Sequence, residues 1–372
     1  MCLILTAITT GLYYKNLRIL TPVSRKTVEY PTAQLKNVVR HIATRIRAGP
    51  EPIIILTYAR SGSTFLGEVI RQSPGVFYVF EPLHFLTRFL TNNTLHYSDG
   101  QVKNNISFLH EAENIINNLA VCNLVDLPLE YWNMAFGKLL GIQLQTFYRT
   151  YRNKVRRRFS EPLNFRSAVQ RLQTECMQSK QIVIKTIRTP LSILKKMFIT
   201  LDCLKIIHLV RDPRPTLISQ NGTIRKFTSV STEASQFCIR VLDDVEAFDY
   251  LVSFYPEKII RVRYEDLARH PVNTTRRIYE YLNFTFSIKV ENNVNNMTSS
   301  GKTKEGNMSI FKGNSTELVY KWRSFVSVDF VLEVDKQCSA VYDRLGYIPI
   351  ENQAMLKNTM ISLLKHSNDI PR

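Results

Sequence analysis

Acidic residues are in short supply in this 372-residue sequence: 31 Asp and Glu stand against 49 Lys and Arg, which leaves a formal net charge of +18. Such a surplus calls for anionic partners, among which nucleic acid, acidic glycans, phosphorylated cofactors and membrane surfaces all qualify. No Cys-x-x-Cys pair occurs, so the usual zinc-binding spacing is excluded. Cys122, Cys176, Cys203, Cys238 and Cys338 follow Cys2 at wide, irregular intervals. That pattern fits occasional disulfides, and the odd number after Cys2 leaves at least one thiol outside intramolecular pairs. There is no internal repeat. There is also no apolar run of the about 20 residues that a full membrane span needs.

What is present suits one large α/β domain, since a chain of this length with 44% hydrophobic residues can bury a sizeable core. Residues 1–14 carry no charge and are mostly apolar, and residues 15–47 are basic with little helical periodicity. This reads as an anchor, over residues 1–20, followed by a basic stem over 21–50. The anchor is marginal in length unless residues 17–20 join it or the chain extends upstream; a cleaved signal peptide and a frayed apolar terminus are the alternatives. Asn-x-Ser/Thr triplets begin at Asn92, Asn105, Asn221, Asn273, Asn283, Asn296, Asn307 and Asn314, more than composition alone would give. The excess favours a secretory-pathway lumen, although Asn221 falls in a segment assigned below to cofactor binding.

Glu51-Pro52 closes the stem, and the continuous apolar run Ile53-Ile54-Ile55-Leu56 marks a strand buried on both faces. Residues 66–72 have helical spacing and residues 76–80 are β-branched and aromatic, which completes a βαβ unit. Further strands are predicted at 181–184, 204–210 and 259–264, with helices at 191–199 and 231–251 between them. Residues 104–172 read as mostly helical and polar, with a basic cluster of Arg152, Lys154, Arg156, Arg157 and Arg158 that is either a solvated face or a contact for an acidic polymer. Residues 292–316 turn polar and rich in Asn, Ser, Thr, Gly and Lys, a surface loop and candidate lid before final helices around Trp322 and over 328–345. The expected fold is a P-loop-like, doubly wound parallel sheet flanked by helices in a single catalytic domain, residues 51–350, with a tail over 351–372. Ligands belong at the carboxyl ends of its strands.

Two motifs fall there. Ala59-Arg60-Ser61-Gly62-Ser63-Thr64-Phe65 lies between the first strand and its helix, where backbone amides and the helix N-terminus converge on an anion. Gly62 permits the close turn, Ser61, Ser63 and Thr64 add hydroxyl donors, and Arg60 adds a rigid cationic fork for phosphate or sulfate oxygens. A nucleoside-triphosphate loop would carry Gly-Lys-Ser/Thr after an earlier glycine, and both that glycine and the lysine are missing, which argues against a P-loop kinase. The second motif, Arg211-Asp212-Pro213-Arg214, ends the 204–210 strand, with Ser219 following on a helix that Pro215 can begin. Two cations and a hydroxyl suit a second phosphate; a salt-bridged βα corner is the alternative.

These residues resemble those of the Golgi carbohydrate sulfotransferases of the Gal, GalNAc and GlcNAc 6-O group. The likeness runs through Tyr58 to Gly67, Ser73-Pro74-Gly75-Val76-Phe77, Phe80-Glu81-Pro82, Val183 to Arg188, His208 to Arg214, Arg263 to Leu267 and Lys321-Trp322-Arg323, most of residues 53–347. Cytosolic sulfotransferases carry a lysine where Arg60 stands, so the resemblance is to the glycan-directed branch. It implies 3′-phosphoadenosine 5′-phosphosulfate as co-substrate without a metal, its 5′-phosphosulfate on residues 59–65 and its 3′-phosphate on Arg211 and Ser219. It also implies a glycan or proteoglycan acceptor, attack by a sugar 6-hydroxyl, no nucleic-acid partner, and a type II protein held in the Golgi membrane by its N-terminus with its catalytic domain lumenal. By the same resemblance the loop with Lys312 and Asn314 closes over the adenosine.

Transfer of this kind needs positioning, charge stabilisation and a proton acceptor. Arg60 suits the leaving phosphate. Glu81, at the end of the second strand, is the chosen base, His84 the rival, and a structural role for Glu81, paired with Lys185 or Arg188, the alternative. Lys185 and Arg188 otherwise suit an anionic acceptor or donor. Asn92, Asn105, Asn273, Asn283, Asn296, Asn307 and Asn314 are candidate glycosylation sites. A nucleotide kinase and a non-enzymatic binder of acidic polymers are the competing functions.

Overall fold

In the computed structural model the described residues are 49–89, 94–133, 140–156, 162–299 and 314–365. The expected anchor, nearly all of the stem, Asn92, Asn307, Lys312 and the basic cluster's side chains lie outside that description. Five strands, β1 (Glu51–Leu56), β2 (Val76–Phe80), β5 (Gln181–Thr186), β6 (Lys205–Val210) and β7 (Ile259–Arg263), form one parallel sheet in the order β2-β5-β1-β6-β7. β3 (Thr94–His96) and β4 (Val102–Asn104) make a small antiparallel hairpin that composition did not announce. Residues 53–56 of β1 are at most 1% exposed, as expected of a central parallel strand covered on both faces.

Strand order decides where a ligand can go. The chain leaves β1 toward β2 and β5 on one side, then returns to β6 and β7 on the other, so β1 and β6 flank the point where the strand order reverses. The loops leaving those two strands diverge and open a crevice at their carboxyl ends. Residues 59–65 and 211–219 line it.

The edge strand β2 is blunted from outside. Gly141 N–H donates to Tyr78 O at 3.1 Å, and a Cβ on Gly141 would stand 2.7 Å from that oxygen, so only glycine allows the approach. Helix Phe108–Ala120 and the aromatic group Tyr131, Trp132, Phe147 and Phe165 extend the main core over a region that reads as polar in sequence. Residues 292–298, expected in a surface loop, belong instead to helix Ile288–Thr298, capped by Ser287 and anchored by buried Val290, Val294 and Met297. That i, i+4, i+7 stripe is hidden by surrounding asparagines. The second motif's helix begins at Pro213 and not Pro215, because Asp212 accepts the Arg214 amide as its cap. Residues 351–365 pack back on the domain: Arg323 donates to the carbonyls of Met355, Leu356, Asn358 and Ile361, and Tyr347 bridges Leu364.

Disulfides join Cys122 to Cys176 and Cys238 to Cys338. The second spans 100 residues of sequence and ties helix Val230–Phe254 to helix Val328–Leu345, inside the buried cluster that also contains Tyr58. Replacing both Cys238 and Cys338 by Ser should lower the unfolding free energy by about 2–5 kcal/mol. Denaturant titration of both proteins checks this, and an unchanged midpoint would contradict it.

Candidate active site

At the end of β1 the backbone twists sharply: Arg60 has φ 68° and Gly62 φ 80°, both left-handed. Gly62 is required twice, for that conformation and because a Cβ there would lie 2.2 Å from the Tyr264 ring. Helix Ser63–Arg71 starts directly afterwards with no side-chain cap, so its first amides have no helical acceptors and face the crevice end. Ser61 is fully buried, and its hydroxyl has no partner among the described residues.

β6 delivers the second half. Arg211 donates through Nη1 to Arg60 O at 2.7 Å and rests on the Tyr264 face, 4.4 Å from the ring centre. Its Nε is buried without a partner among the described residues. Arg60 Nε donates to Ser219 Oγ at 2.8 Å, and Gln220 Nε2 donates to Ala59 O at 2.9 Å. The residues expected to hold two separate phosphates therefore interlock into one cradle. Burial, and after it the neighbouring Arg211, lowers the Arg60 pKa: two guanidiniums held together raise each other's energy, and a bound anion would reverse that.

Arg214 is not part of the cradle, contrary to the reading of two cations for the second phosphate. Its guanidinium is 0% exposed, paired with Asp212 and Asp335, bonded to Ile348 O, and packed against Trp322 and Tyr342. Asp212 is spent on Arg214 and on the helix cap, and Pro213 opens the helix. Both halves of the corner alternative hold for these three residues, while Arg211 and Ser219 face the crevice.

The third cluster lies at the end of β2, about 10 Å from β1 across two strand intervals. Glu81 also has a left-handed φ, 50°, which is strained for a residue with a Cβ and is held by its N–H bond to Lys185 O at 2.8 Å. Its carboxylate pairs with Lys185 Nζ on one oxygen and with Arg188 Nη1 at 2.5 Å on the other. Arg188 Nη2 reaches His84 Nδ1 at 2.9 Å. Because a guanidinium only donates, that ring nitrogen accepts, and the His84 proton sits on Nε2. Burial lowers the Lys185 pKa and Glu81 opposes it. Lys185 and Arg188 thus serve Glu81, and the structure unites the four residues.

Sequence reading gave Tyr264 and Gln220 no part here. Tyr264 stood at the end of the strand predicted over 259–264, and only the fold carries its ring to Gly62 and Arg211.

A family model described as Sulfotransferase domain matches residues 50–346. Carbohydrate sulfotransferase 1 of Rattus norvegicus is 28% identical over 362 residues, covering 86% of this chain and 84% of that protein. Carbohydrate sulfotransferase 3 of Tetronarce californica is 26% identical over 361 residues, covering 87% and 78%. Among solved structures, the sulfotransferase domain from the Synechococcus PCC 7002 olefin synthase aligns with a TM-score of 0.45 at 18% identity, over 79% of this chain and 95% of that one.

Beneath the cradle, Glu265 accepts Asp212 N–H at 2.9 Å and Tyr347 O–H at 3.1 Å. Burial, and next the Asp212 charge, push its carboxyl from the ordinary 4.5 up to about 7. The folded protein therefore keeps a proton that the unfolded chain has released, and stability falls as pH rises from 4.5 to about 7. This group contributes at most about 1.4 kcal/mol per pH unit. Thermal unfolding across that range should show a shallower loss for Glu265→Gln than for wild type, and parallel curves would contradict the assignment.

Proposed function

The chain belongs to the sulfotransferase domain family, and from that premise we propose that it moves the sulfuryl group of 3′-phosphoadenosine 5′-phosphosulfate to the 6-hydroxyl of a Gal, GalNAc or GlcNAc residue in a glycan. One observation carries the reading: Arg60, Arg211 and Ser219 interlock where the strand order reverses, beside a buried Ser61 hydroxyl that lacks a partner among the described residues. Two adjoining cations and an unsatisfied donor fit a ligand with more than one phosphate-type group. The carbohydrate sulfotransferases among the relatives support a sugar acceptor.

The donor supplies a sulfuryl group with a phosphate as leaving group; the protein supplies geometry and charge. Arg60 and the first amides of helix Ser63–Arg71 neutralise charge on the departing side, a role worth roughly 3 kcal/mol per well-placed donor. Ser219 fixes the Arg60 fork, and Arg211 takes the 3′-phosphate. Glu81 receives the acceptor proton, aimed by its pairs with Lys185 and Arg188. His84, with its proton on Nε2, donates to an acceptor oxygen and does not compete as base.

The setting we propose is the Golgi lumen, with membrane attachment through the N-terminus. Two disulfides support an oxidising compartment. Among the described residues no helix is long and apolar enough to cross a membrane, so the anchor rests on residues 1–20. Asn105, Asn283 and Asn314 are exposed, as are Ser107, Thr285 and Thr316 two residues on, which suits them to carry glycans. Asn273 and Asn296 are each followed by a buried threonine, Thr275 and Thr298, and Asn221 accepts the Phe227 amide at 2.9 Å.

The test is the full chain, made in a secretory host, incubated with donor carrying radiolabelled sulfate and a panel of chondroitin-type, keratan-type and short glycoprotein glycans. Label should enter the 6-position of one class. Glu81→Gln should cost roughly 100-fold or more in rate with donor affinity kept. Absence of both label and donor binding would defeat the reading, and a near-normal rate for Glu81→Gln would remove Glu81 as base.

A further inference from the structure

Directly behind the cradle lies a buried polar group that the mechanism above leaves unused. Tyr58, one residue before the loop 59–65, is 1% exposed, and its hydroxyl stands 3.0 Å from both Asp244 Oδ2 and His208 Nε2. Asp244, on helix Val230–Phe254, is also 1% exposed, and its other oxygen accepts the Leu191 amide at 2.6 Å. One turn earlier on the same helix, Arg240 donates to Ile187 O at 2.6 Å and lies 5.3 Å from the Tyr58 ring centre. Residues 187–191 are the segment that presents Arg188 to Glu81 and His84.

The proton arrangement is unique once Asp244 is ionised. A carboxylate only accepts, so Tyr58 donates to Asp244, and the Tyr58 oxygen accepts from His208 Nε2–H. His208 Nδ1 is then a bare lone pair, in keeping with its want of a partner among the described residues. Burial, followed by the Arg261 charge, holds the imidazole well below its ordinary pKa, so the ring is neutral. Burial pushes the Asp244 carboxyl up; the Leu191 amide, Arg240 and Tyr58 draw it back toward ionisation.

The donor loop and the Arg188 segment leave different strands, β1 and β5, beyond the last paired residues, Leu56 and Thr186, and the bond from Thr57 N–H to Thr186 O at 3.1 Å. Asp244 is bonded to both. We propose that Asp244 is a positioning residue for group transfer, one oxygen fixing the donor loop through Tyr58 and the other fixing the Glu81–Arg188 cluster through Leu191. This rests on the sulfuryl-transfer reading. Sub-ångström spacing matters there, since a misplacement of about 1 Å can cost on the order of 100-fold in rate.

Asp244→Asn discriminates sharply, because an amide has one accepting and one donating end and cannot accept from both Leu191 and Tyr58. Tyr58→Phe removes a single oxygen and tests the same link from the other side if Asp244→Asn fails to fold. The experiment compares the full wild-type chain, both single variants and the double variant. It measures rate per site that binds 3′-phosphoadenosine 5′-phosphate, the KM of each substrate, and melting temperature. Counting only donor-binding sites removes misfolded molecules from the comparison. Each single variant should lose on the order of 10-fold in that rate, and the double variant should fall no further than Asp244→Asn alone. Normal rates in the single variants, or losses that multiply and follow the melting temperature, would overturn the coupling while wild-type labelling stands. Absence of label with the wild type would instead defeat the sulfuryl-transfer reading, and this inference with it.

Discussion

Two guanidiniums held together at the reversal of a parallel sheet are the constraint on which the rest of this structure turns. Arg60 and Arg211 come from different strands, are both partly withdrawn from water, and are joined by a bond from one side chain to the other's carbonyl. Like charges at that distance are unfavourable unless an anion is to be shared between them. The surrounding features serve this arrangement. Gly62 lets the chain turn under Tyr264, Tyr264 supports the Arg211 face, and Ser219 holds the Arg60 fork. Even the buried Arg214 contributes, because by binding Asp212 it locks the start of the helix that carries Ser219.

The Glu81 cluster has the opposite electrostatics. There attraction replaces repulsion: a single carboxylate holds two cations, with one net positive charge left over, and Glu81 keeps its aim despite an unfavourable φ. In the proposed reaction, the about 10 Å between the ends of β2 and β1 would separate leaving-group chemistry from proton acceptance. A substrate spanning that interval would have its reacting centre between the two clusters. Helix Val230–Phe254 runs behind both, and its disulfide to helix Val328–Leu345 fixes the wall from which Asp244 and Arg240 project.

Much of this was legible in the sequence because central strands advertise themselves. Ile53 to Leu56 and the other apolar runs located every strand of the main sheet, and the motifs stood at their carboxyl ends as the topology requires. Side-chain direction was harder to read. Arg211 and Arg214 differ by one helical turn's worth of position, yet one faces the crevice and the other the core, and composition cannot tell them apart. Contacts across distant sequence were hidden altogether: nothing near Gly62 names Tyr264, and nothing near Tyr58 names Asp244. The helix Ile288–Thr298 escaped notice because asparagines mask its three apolar anchors. Pairing of Glu81 with Lys185 or Arg188 stood in the sequence only as the structural alternative to a base, and the structure shows that it engages both.

The central claim is that one cradle reads two phosphate groups, and calorimetric titration tests it most directly. Wild-type protein should bind 3′-phosphoadenosine 5′-phosphate at least about 10-fold more tightly than adenosine 5′-phosphate, as expected for charge-assisted bonds worth roughly 1.5–3 kcal/mol each. Arg211→Ala should erase that preference while leaving adenosine 5′-phosphate binding in place. Equal affinity of the wild type for the two nucleotides would contradict the account.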